Sequence, residues 1–247
     1  MELRPFFSYF GGKWRAAPAY PPPQHRTLIE PFAGSAGYAL RYPHLDVLLI
    51  DKSEAIAGVW EYLINVKSSE VLALPDVPPG ERVPESLPQE AQWLIGLWVN
   101  QGAAAPRRTQ TRWASRGDHH QMCMWGRPAR ERIAKQVTSI RHWLVQWGEY
   151  NDAPDIEATW FVDPPYQTQG KQYPHGAKGI DFGALGEWCK SRRGQVMVCE
   201  NTGAGWLPFR PFGKFKSNKS NSTRPRSAEA LWLNAFPGSE LWLPRAS

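Results

Sequence analysis

The sequence predicts an α/β fold of the doubly wound, Rossmann-like kind with an inserted, mainly helical lobe, and three observations predict it. An apolar run from Thr27 to Glu30 enters the glycine-rich segment Phe32-Ala33-Gly34-Ser35-Ala36-Gly37, and a second run from Val47 to Ile50 ends in Asp51. Apolar runs of strand length return only at Trp160 to Val162 and Gln195 to Cys199. Between them lies a stretch of helical periodicity that opens on the proline-dense segment Leu74 to Pro88, which reads as a boundary. The expected organisation is therefore a core of residues 1–68 and 149–247 and an inserted lobe of residues 69–148.

Each element follows from local pattern. After the glycine turn, Tyr38, Ala39, Leu40 and Arg41 can start a helix; after Asp51, a helix from Ser53 is supported by Ile56, Val59, Trp60 and Leu63, which share one face. In the lobe, Ala91 to Asn100 reads as a helix carrying Trp93, Leu94, Leu97 and Trp98. Pro128 starts another, whose Ile133, Val137, Ile140, Leu144 and Trp147 keep helical spacing while Arg130, Arg132, Lys135 and Arg141 take other faces. A helix is expected around Asp181 to Ser191, and Leu231 to Leu233 with Leu241 to Leu243 suggests a closing hairpin.

The 247 residues carry a net charge of +6, and the charge is localised. Between Gln101 and Tyr150 there are nine Lys or Arg against three Asp or Glu, and between Pro211 and Ser227 five against none, which leaves the rest of the chain at −5. Two basic patches on an acidic remainder are the footprint of a polyanion-binding protein; solvated loops are the plainer alternative. No apolar run is long enough to span a bilayer and no leader-like segment opens the chain, so a cytosolic protein is expected. Cys123, Cys189 and Cys199 are too few and scattered for a disulfide framework, and His119, His120 and Cys123 lie in a polar, arginine-rich stretch without further ligands, so no metal is expected.

The chemistry-bearing segment is Asp163-Pro164-Pro165-Tyr166, directly behind Trp160-Phe161-Val162. An acid leaves the end of a buried strand, two prolines fix the backbone and remove its N–H donors, and a tyrosine offers its ring for stacking. Such a corner accepts hydrogen bonds and donates few, which suits an exocyclic amine whose nitrogen must attack an electrophile. Asp163 would accept one N–H and the Pro164 carbonyl the other. A rigid proline turn is the structural alternative. The glycine turn with Gly34 and Gly37 permits close ligand approach, and Asp51 can accept ribose hydroxyls. The spacing is neither G-x-G-x-x-G nor a P-loop, which disfavours dinucleotides and triphosphates and suits a smaller nucleoside cofactor such as S-adenosylmethionine.

With Ser8-Tyr9-Phe10-Gly11-Gly12-Lys13, Glu30-Pro31 ahead of the glycine run, Asp51 and Asp163 to Tyr166 in this order, the chain resembles the Dam-type N6-adenine DNA methyltransferases, particularly their phage-borne relatives. The resemblance implies a Rossmann-like S-adenosylmethionine-dependent methyltransferase core in which Tyr9, Gly11, Gly12 and Lys13 together with Glu30, Phe32, Ala33, Gly34 and Ser35 enclose the cofactor. It further implies Asp51 on the cofactor ribose, Glu149 facing its adenine, and Asp163 to Tyr166 as the catalytic motif. Glu149 stands where the family commonly has aspartate, and Gly34 and Gly37 are one residue further apart than the family's usual glycines.

Methyl transfer to the N6 of a flipped-out adenine in double-stranded DNA is the expected activity. The corner also accommodates cytosine N4 or RNA adenine, although aspartate at its first position leans toward adenine in DNA, and a non-catalytic DNA-binding protein is the alternative of another class. A C5-cytosine route needs a Pro-Cys pair, and no cysteine follows a proline. DNA contacts are expected from Arg107, Arg108, Arg112 and Arg116, from Lys214, Lys216, Lys219, Arg224 and Arg226, and at the flipped base from Tyr173. Host cytoplasm or nucleoid is the expected location, and a monomer or weak dimer the expected state.

Overall fold

A computed structural model describes residues 2–99, 104–111, 124–167, 176–215 and 227–234. Its apolar runs pair as β1 (Thr27–Glu30), β2 (Asp46–Asp51), β3 (Leu144–Trp147), β4 (Ala158–Val162), β5 (Gly194–Asn201), β6 (Arg210–Phe215) and β7 (Ser227–Leu233). They form a seven-stranded sheet in the order β3-β2-β1-β4-β5-β7-β6. The first five strands run parallel, with Ile29 opposite Leu48 on one side and Trp160 on the other, and β7 runs antiparallel to both β5 and β6. The parallel order reverses direction between β1 and β4, so a crevice opens beyond their carboxyl ends, where the connections diverge to opposite faces. The coarse expectation of an α/β protein with a doubly wound parallel sheet is met.

The strands at that switch point are buried on both faces, as parallel strands covered by helices must be; all five residues of β4 are buried. Helix α1 (Glu54–Asn65) follows β2 and buries Ile56, Val59, Trp60 and Leu63 completely. Helices α2 (Ser68–Ala73), α3 (Gln89–Trp98) and α4 (Arg127–Gln136) lie in sequence between α1 and β3, and α5 (Phe182–Ser191) connects β4 to β5. Asp181 caps α5 by accepting the Ala184 N–H at 3.0 Å, a contact of about 1 kcal/mol.

Three local expectations are corrected. The helix starting at Pro128 does not reach Trp147: it ends at Gln136, a 3-10 turn covers Val137–Ile140, and Leu144 and Trp147 lie on the edge strand β3, both about two-thirds exposed. Pairing with β2 overrides the apparent 3.6-residue spacing, and it moves residues 144–147 from the lobe into the sheet. After the glycine turn, Ala39–Arg41 forms only one 3-10 turn before β2 begins. Leu231–Leu233 pairs with β5 and β6; Leu241 to Leu243 lie outside the described residues. Finally, residues 74–88 do more than link. Val77 and Val83 are buried in the main core, and Gly80, Val83 and Gln110 exchange backbone hydrogen bonds with Gln110, Arg108 and Glu81. Arg130 and Arg141, off the apolar face as expected, reach backbone carbonyls: Arg130 that of Leu74, Arg141 those of Ile64 and Val66.

Candidate active site

The crevice is a cavity of about 860 Å³, open to solvent, between the N-terminal segment, the glycine turn, the end of β2 and the loop after β4. Of the residues expected around a cofactor, Tyr9, Gly11, Gly12, Lys13, Glu30, Phe32, Ala33, Gly34, Ser35, Asp51 and Asp163 all line it, although they come from four separate segments. Pro165 lines it as well.

The wall is built by interlocking the two glycine-containing segments. Gly34 has φ +46°, and a Cβ there would sit 2.9 Å from the Tyr9 ring; a Cβ on Gly12 would sit 2.8 Å from Ser35 Oγ. A Cβ on Gly37 would meet the Trp14 backbone nitrogen at 2.5 Å. Gly37 is thus a packing glycine for the Lys13–Trp14 backbone, which accounts for the wide spacing from Gly34. Trp60 of α1 donates its indole N–H to the Gly34 carbonyl at 2.9 Å and fixes the turn from below. Phe32 lines the cavity and stacks on Tyr150, ring centroids 5.7 Å apart.

Asp51 accepts the Gly34 N–H on Oδ2 and the Ser53 N–H on Oδ1, each at 2.9 Å. It therefore ties the glycine turn to the start of α1, and an ionised carboxylate retains lone pairs for further donors. Glu149 is not in the cavity wall. It is half-exposed on the connection after β3 and pairs at 2.6 Å with Lys52, which does line the cavity. Glu30 is buried and accepts the Ala39 N–H at 2.6 Å; burial pushes its carboxyl up to about 8 against that bond and a second from Tyr38.

At the floor, the Lys13 ammonium lies 2.9 Å from Asp163 Oδ1, 3.8 Å from Glu229 Oε1 and 4.8 Å from the centre of the Tyr166 ring. Burial alone pulls Lys13 down, but Asp163, Tyr166 and Glu229 outweigh it and hold the ammonium well above its ordinary value. Burial raises Asp163 to about 6, with Lys13 opposing and Glu229 and Glu200 adding to the rise. Pro164 is buried, and its carbonyl receives no hydrogen bond among the described residues. Tyr166 is half-buried against the core rather than freely presented, and its hydroxyl has no hydrogen-bond partner among the described residues. The loop is anchored by Glu200, buried at the end of β5, which accepts the Gln167 N–H at 3.2 Å and the Trp206 indole N–H at 3.0 Å.

Sequence reasoning named Lys13, Asp163 and Tyr166 but not their contacts with one another, and it missed Glu229, Glu200, Lys52 and Trp60 as residues of the site. An isolated acid in an otherwise apolar strand, as at Glu200 and Glu229, was the available signal. Arg107 and Arg108 are exposed and line a groove with Arg82, Gln89, Gln92 and Trp93. Lys214 lies on β6. Arg112, Arg116, Tyr173, Lys216, Lys219, Arg224 and Arg226 lie outside the described residues, as do His119, His120 and Cys123. Cys189 and Cys199 are buried free thiols. Among the described residues no group of His, Cys, Asp or Glu could hold a metal, and no helix is long and apolar enough to cross a membrane.

Fold and cavity together define an α/β protein with a ligand crevice at the carboxyl ends of β1, β2 and β4. Comparison with family models and with curated proteins yields no match. Among solved structures, a conserved hypothetical protein of Streptococcus pyogenes is similar at 10% identity and a TM-score of 0.37, over 85% of this chain and 86% of that one.

Proposed function

We propose that the chain is an S-adenosylmethionine-dependent methyltransferase acting on the N6 amino group of adenine in double-stranded DNA. The observation that carries this reading is the convergence on one cavity of the glycine turn, Asp51 and the acceptor-rich corner Asp163-Pro164-Pro165-Tyr166, at the point where the strand order reverses.

The cavity residues fit such a cofactor. Asp51 brings a carboxylate able to accept ribose hydroxyls to the cavity wall, and Phe32 and Ile180 offer apolar surface to a base. S-adenosylmethionine supplies an electrophilic methyl group on a sulfonium, whose departing C–S electron pair stays with sulfur. Asp163 accepts one N–H of the target amine and the Pro164 carbonyl the other, so the nitrogen lone pair points away from both. As the nitrogen becomes cationic, the Asp163 carboxylate stabilises it electrostatically, and its surplus proton leaves to water. Tyr166 supplies an aromatic face beside the corner. The groove provides Arg107 and Arg108 as cations for phosphates and the Gln89 amide for base edges, while Arg82 is paired with Glu85 within it.

Incubation with methyl-labelled S-adenosylmethionine and duplex DNA, followed by digestion to nucleosides, tests the proposal. Label in N6-methyldeoxyadenosine is expected. Label in N4-methylcytosine or in RNA alone overturns the substrate, and DNA binding without transfer overturns the enzyme.

A further inference from the structure

Glu229 is a buried carboxylate on β7, two strands from the Asp163 corner in the sheet, and the chemistry described so far makes no use of it. Its Oε2 accepts the Tyr20 hydroxyl at 2.7 Å and its Oε1 faces Lys13 at 3.8 Å. Tyr20 is itself immobilised, stacked on Phe212 with centroids 4.6 Å apart and edge-on to Phe161 at 5.1 Å. Glu229 is thus a fixed anion, whereas Lys13 reaches Asp163, Glu229 and the Gly11 carbonyl from a four-carbon stem.

The stoichiometry is unusual for a purely structural pair. One lysine faces two carboxylates, and burying the second without its own cation is unfavourable. If Asp163 were the sole partner of Lys13, the pair would be neutral and would offer little to a nitrogen acquiring positive charge. The other carboxylates facing Asp163 do not share the lysine, which is held besides by the Gly11 carbonyl at 3.3 Å and the Tyr166 ring at 4.8 Å. From β5, Glu200 binds the N–H groups of Gln167, Asn201 and Trp206, and the Cys199 thiol is pushed up by burial. From β1, Glu30 binds the turn amides, and from the same loop comes Tyr166.

Resting on the methyltransferase reading, we propose that Glu229 is a positioning residue that takes over Lys13 as the target amine enters. Asp163 Oδ1 is then released to accept the amine, and one uncompensated negative charge stands beside the cationic nitrogen. The difference between 2.9 and 3.8 Å is a small pivot of one side chain.

Glu229→Gln tests this, because glutamine keeps the size and still accepts the Tyr20 hydroxyl while losing the charge. The single-turnover rate of methyl transfer is expected to fall at least about tenfold. Independently of activity, the carboxyl titration of Asp163, followed by carbon NMR without substrate, is expected to move to lower pH, since Glu229 holds it up. The acid limb of the rate profile should move with it, and Glu229→Asp should restore part of the rate. If Glu229→Gln fails to fold, Tyr20→Phe, which removes the hydroxyl bonded to Glu229 and to the Cys199 thiol, is expected to slow transfer about threefold, and a wild-type rate there overturns the proposal. Wild-type rates in Glu229→Gln overturn it too, as does a lost rate with an unmoved Asp163 titration, the signature of a structural residue. A wild-type protein that methylates no DNA sinks the methyltransferase reading itself, whereas an unmoved titration in an active enzyme sinks only the role of Glu229.

Discussion

Asp51 and Asp163 end neighbouring parts of one sheet and line one cavity, yet they are held in opposite ways. Asp51 has two backbone N–H partners close by, on the glycine turn and on the first residues before α1. Asp163 is gripped by Lys13, which Glu229 shares, with Tyr20 fixing Glu229 from the other side; these partners come from opposite ends of the chain. Backbone amides hold a carboxylate in a fixed orientation, which suits the hydroxyl-binding role proposed for Asp51. A shared lysine in a buried setting leaves the carboxylate adjustable in charge, which is what an acid facing a developing cation needs.

The largest effect that can break this comparison is on transfer itself. Asp163→Ala is expected to lower methyl transfer on the order of a thousandfold while S-adenosylhomocysteine still binds, measured by calorimetry; an active variant would remove Asp163 from the chemistry. The pH profile of kcat/KM should show an acid limb near 6, the value to which Asp163 is raised. A limb near 4 would make Asp163 an ordinary exposed carboxylate.

Next is the wall on the Asp51 side. Gly37→Ala forces a Cβ into the Lys13–Trp14 backbone and is expected to cost about 2–3 kcal/mol in chemical denaturation. Asp51→Asn keeps one amide acceptor, so a loss of about 1 kcal/mol in stability is expected, with weaker S-adenosylhomocysteine binding; unchanged binding would confine Asp51 to a structural role.

Glu30 sharpens the contrast through pH. Its folded-state pKa of about 8 is above the unfolded value of 4.5, so its contribution to stability is fully present below 4.5 and is lost as pH rises through about 8. Glu30→Gln should therefore flatten the rise in melting temperature seen on lowering pH from 8 toward 4.5. The smallest effect belongs to Glu149→Gln: its half-exposed pair with Lys52 is worth at most about 0.5 kcal/mol. A large loss of cofactor affinity in that variant would bring Glu149 into the site after all.

Much of the fold was legible because its signals are local. β1, α1, β4 and α5 follow from apolar runs, one-sided helical spacing and the Asp181 cap, each contained within a dozen residues. β3 was not legible: Leu144 and Trp147 continue the spacing of Ile133, Val137 and Ile140, and only pairing with β2 selects the extended state there. In the site, the residues lining the cavity were legible as motif members, while their partners were not. Lys13 reads as part of a glycine segment whether it faces a cofactor or a carboxylate.

By itself the sequence determined a doubly wound α/β protein with a glycine turn, an acid after the second strand and an acceptor-rich corner after the fourth, because backbone sterics and hydrophobic periodicity act over short range. Only the tertiary structure decided that Gly37 packs a neighbouring backbone, that Lys13 is shared by Asp163 and Glu229, and that Glu149 stands outside the cavity. Those outcomes depend on which strands lie side by side, and electrostatic pairing in a desolvated crevice joins residues about two hundred positions apart that no local pattern connects.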